Sequence, residues 1–383
     1  MKKLVVLALI FLLLAGLAAC QLAPAPAPLP PTLTPTITHT PVPPGPMATP
    51  TITPIPPLNS PTGPPLRSIH MFTIKDGWGL IDDALLVTHD GGVTWFSVPT
   101  PGGQVDKSTE AVFVNINIAY LVVPAADGKT GQIFHTTNGG GSWEVTPVPF
   151  VRGKLVLIGT IGYFLETDSP SGTDVSIYNT MDGINWTKAV GISLPDARLI
   201  TGFSFIGADR GWLGFASQPQ KIVLYQTSDA AKSWSLQEIP APENISSLIT
   251  SVQPPVFFTG YTENGLLPVD FISKDTGERN RVLYTTSDGG TTWSPGGSIP
   301  DGGAYTFIDV NTGWAWGNRG LYSTTDGAQT WLLLPGAFNR SEHATWVNFI
   351  DPVNGWLITV GQGSRVRLYR TTDGGNTWLL VSG

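Results

Sequence analysis

The chain is poor in cysteine, poor in charge and without a helical period. A single cysteine, Cys20, occurs in 383 residues, which excludes a disulfide framework in the folded part. Only 13% of the residues are charged while 41% are apolar, so a solvated coil is excluded and a large core can be buried. Basic residues are the minority, 21 against 28 acidic, for a net charge of -7. An acidic chain of this kind lacks the clustered Lys and Arg that capture nucleic acid. The sequence has no Gly-x-Ser-x-Gly elbow, no phosphate loop and no Gly-x-Gly-x-x-Gly unit,. Its five histidines, His39, His70, His89, His135 and His343, form no pairs at metal-ligand spacing,. No cofactor and no metal are therefore expected.

What is abundant is Gly (44), Pro (34) and Trp (13), a composition of turn-rich β structure. The prolines are concentrated near the start. Lys2 and Lys3 precede an apolar run, Leu4 to Leu14, too short to span a bilayer stably. Leu17-Ala18-Ala19-Cys20 then reads as a lipoprotein signal-peptidase site, with residues 1–19 as the signal peptide. Cys20 would become the lipid-bearing N-terminus, because two or three acyl chains give stable anchoring where one binds marginally. Cleavage there leaves 19 basic against 28 acidic residues. Residues 21–65 hold 17 prolines and 9 threonines and no Asp, Glu, Lys or Arg. Proline lacks the amide donor, so this stretch cannot build ladders and favours polyproline II. The expected organisation is a signal peptide (1–19), a lipid-anchor cysteine and Pro/Thr-rich stalk (20–66), and a folded part (67–383) anchored outside the cytoplasm.

The folded part repeats one turn seven times. Its Asp or Asn positions are Asp90, Asn138, Asp182, Asp229, Asp288, Asp326 and Asp373. Each is preceded two residues earlier by Thr and followed by Gly or Ala, a hydroxyl or Asn, and Trp, as in Thr371-Thr-Asp373-Gly-Gly-Asn-Thr377-Trp378. The period near 47 residues is that of a propeller blade. The carboxylate can accept backbone N–H groups across the bend, and glycine supplies the positive φ of a tight reversal. In the fourth box Ala230 and Ala231 replace both glycines, so that turn is expected to be the most altered. A second marker precedes each box: Gly77-Trp78, Gly211-Trp212, Gly313-Trp314 and Gly355-Trp356, with Ala119-Tyr120, Gly162-Tyr163 and Gly260-Tyr261 as weaker forms. An alternating strand such as Val347-Asn-Phe349-Ile350-Asp351 comes before the marker. Each unit thus reads as four strands. Strand A ends near Phe-x-Asp, B starts at Gly-Trp, C enters the box and D leaves from its Trp. Seven such units predict an all-β, seven-bladed β-propeller of four-stranded antiparallel blades, closed by side packing of the first and last units.

The Asp-box series resembles the BNR-repeat superfamily, which includes sialidases, sortilin-type receptors and xyloglucanases. With Phe-x-Asp and Gly-Trp it is most similar to the photosystem II stability and assembly-factor propellers, over about residues 67–383. The resemblance implies a propeller with its boxes away from the functional face, acting by binding a partner protein without catalysis. It also implies an arginine patch for that partner. The candidates on the end opposite the boxes are Arg152, Arg198 and Arg340 on the D–A links, and Arg365 and Arg367 near the last B–C turn. An insertion from Leu266 to Arg281, placed in the fifth B–C loop, accounts for the widest box spacing. The competing reading is a glycan-active or glycan-binding propeller. Its paired carboxylates would be Asp168 and Asp174, although the early Arg-Ile-Pro signature of sialidases is missing. No catalytic residue is assigned, and the expected partners are a protein or peptide client and a bilayer.

Overall fold

The computed structural model describes residues 64–103, 105–166, 175–189, 199–216, 221–242, 247–258, 260–335 and 342–382. Cys20, the leader and nearly all of the Pro/Thr-rich stretch lie outside these residues. The described chain is all-β, with helical turns only as short 3-10 segments such as Pro101–Gly103 and Pro300–Gly302. No helix among the described residues is long and apolar enough to cross a membrane.

Five four-stranded antiparallel sheets and one nine-stranded sheet form a propeller-like arrangement. In chain order they occupy residues 68–98, 110–148, 153–188, 200–299, 305–333 and 343–382. The pattern read from the sequence is visible in the first sheet. Strand Ser68–Met71 pairs with Gly77–Leu80, which pairs with Leu85–Thr88, which pairs with Phe96–Val98. The box lies between the third and fourth strands. Short, alternating segments with tight turns give strands in sequential order, because each turn returns the chain beside the strand it has just left. In the nine-stranded sheet a four-strand set and a second set, whose first strand is split into Ser247–Val252 and Val256–Phe258, are joined at a single bridge, Phe215 to Val252.

The B-strand aromatic explains why neighbouring sheets lean on one another. Trp78 stacks on Phe113 of the following sheet, Tyr163 on Phe205, Trp212 on Phe257 and Trp314 on Phe349. Three of these phenylalanines meet the box tryptophan of their own set edge-on, Phe205 with Trp234, Phe257 with Trp293 and Phe349 with Trp378. Phe205, Phe257 and Phe349 are therefore each held between two tryptophan or tyrosine rings, an arrangement that adds directional preference to the area they bury,. The ends of the chain meet in the same way. Leu66, Ile69, Met71 and Leu86 of the first sheet share one core cluster with Trp356, Ile358 and Leu368 of the last. Trp356 Nε1 donates to the Gly91 carbonyl at 2.9 Å, Trp346 Nε1 to Ile69 at 2.9 Å, and the Met71 amide to Asn348 Oδ1 at 3.1 Å. The first and last sheets pack side by side.

Three local expectations are corrected. The fourth box is not the most altered. Ala230 and Ala231 adopt φ of 63° and 67°, and the turn keeps the bonds of the glycine-containing boxes, so two alanines carry the strain that glycine avoids. The departure falls instead on the third box, where Ile184 and Asn185 supply the amides to Asp182. The Leu266–Arg281 segment is not a loop. It lies mostly within two long strands, Tyr261–Ser273 and Arg279–Thr286, whose hairpin tip is only Lys274 to Glu278. Finally, the fifth marker is Gly265-Leu266 and not Gly260-Tyr261. Gly265 faces Thr286 and Phe257, as Gly355 faces Thr371 and Phe349.

Candidate functional site

The seven box residues are turn-forming groups. In the first box Thr88 Oγ1 donates to Asp90 Oδ1 at 2.9 Å, and the Thr94 amide and hydroxyl donate to Asp90 at 2.9 and 2.6 Å. The Gly92 amide closes the loop onto Thr88 Oγ1 at 2.9 Å. The same set recurs at Asp229, Asp288, Asp326 and Asp373. Each box threonine at the end of strand C is buried, from 0% exposed at Thr88 to 6% at Thr286, because its methyl packs inward while its hydroxyl serves the turn. Asn138 keeps the pattern with an amide. Its Oδ1 accepts from Thr136 and the Ser142 backbone, and its Nδ2 donates to Ser142 Oγ at 2.9 Å. The hydroxyl and amide of Thr292 hold the Asp288 carboxyl down at about 2, and Thr330 does the same for Asp326. These seven groups do not converge on a common pocket, and their acceptor capacity is taken up locally.

Because strands alternate in direction, the A–B turns share the box end while B–C turns and D–A links lie at the other. That other end carries a series of ion pairs. Lys154 Nζ reaches Glu110 Oε2 of the neighbouring sheet at 2.9 Å, and Arg152 stands 3.9 Å from Asp106. On the long hairpin Asp270 accepts from Arg281 Nε at 2.6 Å and Nη2 at 3.2 Å, and from Ser251 Oγ at 2.6 Å. Burial pulls the Asp270 carboxyl upward, but Arg281 and Ser251 hold it below the usual carboxylate range. The Arg281 guanidinium lies over the Tyr305 ring of the next sheet, 5.2 Å from its centroid. Glu342, 6% exposed, accepts from Arg367, from Thr359 Oγ1 at 2.8 Å and from Tyr369 OH at 3.1 Å.

Of the five arginines singled out from the sequence, three are described. Arg152 and Arg365 are exposed, the first on the link before strand Gly153–Ile158 and the second directly after the 3-10 turn Gln362–Ser364. Arg367 is committed to Glu342. Arg198 and Arg340 lie outside the described residues, as do Asp168 and Asp174. Arg319, exposed between strands Gly313–Gly317 and Gly320–Thr324, joins Arg365 among the B–C turns and was not singled out. Its signal was available, since a Gly-Asn-Arg-Gly turn between two apolar strands puts the arginine at the tip. Leu267, Val269 and Phe271, all buried, alternate as a strand,, but the Asp270–Arg281 pairing shows only in the structure. Among the described residues no group of His, Cys, Asp and Glu could hold a metal ion.

No family model matches the chain, and no curated protein matches it. Solved structures do. YCF48 bound to D1 peptide aligns with a TM-score of 0.53 at 20% identity, over 82% of this chain and 94% of that one. YCF48 from Cyanidioschyzon merolae aligns at 0.49 and 19%, over 75% and 88%. A polysaccharide lyase, the PL25 ulvan lyase, aligns at 0.47 and 10%, over 70% and 81%. The chain has a β-propeller-like fold similar to that of YCF48, as its Asp-box series led us to expect.

Proposed function

We propose that the chain is a non-enzymatic, seven-bladed propeller, tethered to a membrane through acylated Cys20, that binds a protein or peptide on the end opposite the Asp boxes. The blade count takes the nine-stranded sheet as two blades joined at Phe215–Val252, and seven box turns between C and D strands support it. The observation that carries the binding reading is the separation of roles between the two ends. Box carboxylates lie at one end in their own turns, and Arg365 and Arg152, the latter beside Asp106, are exposed on the far end. The YCF48 structure with the same fold holds a peptide, which supports an extended partner here. Arginine suits the task because its planar fork pairs with carboxylates and stacks on aromatic faces.

Charge reversal of Arg152, Arg198, Arg340 and Arg365 to Glu tests the surface. Captured client after crosslinking in native membranes should fall by about tenfold or more, the equivalent of roughly 1.4 kcal/mol. Undiminished capture would reject this end as the binding surface. The Cys20→Ser variant should move the chain from the membrane to the soluble fraction, and continued membrane retention would reject the anchor.

A further inference from the structure

Charge is not spread evenly around the far end. The B–C turns of the first two sheets carry carboxylates, Asp82 and Asp83 in one and Asp127 in the other, all exposed. Those of the last two sheets carry arginine. Arg319 stands between strands Gly313–Gly317 and Gly320–Thr324, and Arg365 directly precedes strand Val366–Thr371. Neither turn contains an acid, and both arginines are exposed. The long hairpin brings a third arginine into line. Its strands pair Asp270 with Arg281 and Ile272 with Arg279. Residues two apart share one face of a strand, so Arg279 lies on the face by which Arg281 covers Tyr305 of the next sheet.

Arg281 and Arg367 are committed to Asp270 and Glu342. Among the described residues Arg279, Arg319 and Arg365 form no ion pair. Over the three turns the strip holds Lys274, Arg279, Arg319 and Arg365 against Asp275 and Glu278, and Glu278 accepts from Thr276 Oγ1 at 3.3 Å. The first two turns hold three acids against Lys129. In a chain of net charge -7, a strip of the opposite sign selects what approaches it. Sheets packed face to face stand about 10 Å apart, and an extended chain advances about 3.3 Å per residue. One arginine on each of three successive units thus matches carboxylates about three residues apart. We propose, on the reading that the far end binds a peptide, that Arg279, Arg319 and Arg365 dock an extended acidic peptide with a carboxylate at about every third residue,.

Fluorescence anisotropy of the full chain with a labelled peptide, Gly-Glu-Ser-Thr-Glu-Ser-Thr-Glu-Ser-Gly, tests the strip. Binding should saturate below about 1 mM peptide at about 20 mM salt and weaken about tenfold by about 200 mM. A peptide with Gln for each Glu should not bind, and one with its three Glu adjacent should bind at least about threefold more weakly. Arg279→Glu with Arg319→Glu should weaken binding by about tenfold or more. Lys107→Glu with Lys129→Glu makes the same change of charge at exposed sites of the same end and should stay within about twofold. No saturable binding, equal binding of the Gln or the clustered peptide, unchanged affinity in the arginine pair, or an equal loss in the lysine pair would overturn the strip. Client capture is a separate readout. Capture abolished by reversing Arg152, Arg198, Arg340 and Arg365 but kept by the Arg279 and Arg319 pair would sink the strip and leave the far-end reading standing.

Discussion

At the residue scale, each box aspartate is the acceptor for a hydroxyl and an amide on the far side of its own turn, and this ties the turn to pH. The Asp288 and Asp326 carboxyls sit at about 2 in the folded chain, below the ordinary value of 3.8. A depressed carboxyl contributes stability that is fully present above its unfolded pKa and is lost as the pH falls through the folded one. Unfolding midpoints in urea should therefore be insensitive to these groups above about pH 4.5 and should drop between about pH 4 and pH 2. Asn138 shows that an amide can make the same bonds, with Ser142 turning from donor to acceptor. Asp326→Asn should fold, bind as before and show a shallower acid loss than the parent. An equally steep loss in that variant would place the acid sensitivity elsewhere.

At the scale of the element, the fourth box holds two alanines at positive φ with the geometry of its glycine-containing counterparts. Ala231 is fully buried, and its methyl offsets part of the strain by packing in the core. Ala230 is only partly covered, so Ala230→Gly should raise stability by about 1 kcal/mol, relief of left-handed strain outweighing added chain freedom. A denaturant series with an unchanged slope would measure it, and a lower midpoint would show that the methyl matters more than the backbone. This turn also shows what the sequence made legible. Strand order, box position and marker all follow from the period-2 pattern and the turn residues, which act locally. The fifth unit escaped because its evidence is non-local. Gly260-Tyr261 imitates the marker, and only the pairing of Gly265 with Thr286 and Phe257 separates it from Gly265-Leu266. Charged residues at 270–281 likewise read as loop until Asp270 and Arg281 are seen as cross-strand partners, which removes most of the cost of placing each in a strand. The binding surface was legible only in part for the same reason, since Arg367 looks free in sequence and is claimed by Glu342 from the preceding link.

For the whole molecule, cohesion depends on what each sheet offers its neighbour, and two buried tryptophans allow one contribution to be isolated. Trp356 and Trp212 occupy equivalent marker positions, are 0% and 1% exposed, and each packs against the following unit. They differ in the fate of the indole N–H, and in that Trp356 lies beneath the Arg370 guanidinium at 5.6 Å where Trp212 stacks on Phe257. The Trp356 indole reaches Gly91 across the junction of the last and first sheets, whereas the Trp212 indole has no partner. Phenylalanine at either position removes similar volume and keeps an aromatic face. Trp356→Phe also abandons the Gly91 carbonyl, while Trp212→Phe deletes an unsatisfied donor. Trp356→Phe should therefore be the more destabilising by about 1–3 kcal/mol, the cost of a broken buried bond. The loss should appear as faster unfolding wherever opening begins at the junction of the chain's two ends, since bonds absent from the transition state act mainly on the unfolding rate. Equal costs for the two substitutions would mean that apolar contact in the shared cluster alone holds the first and last sheets together.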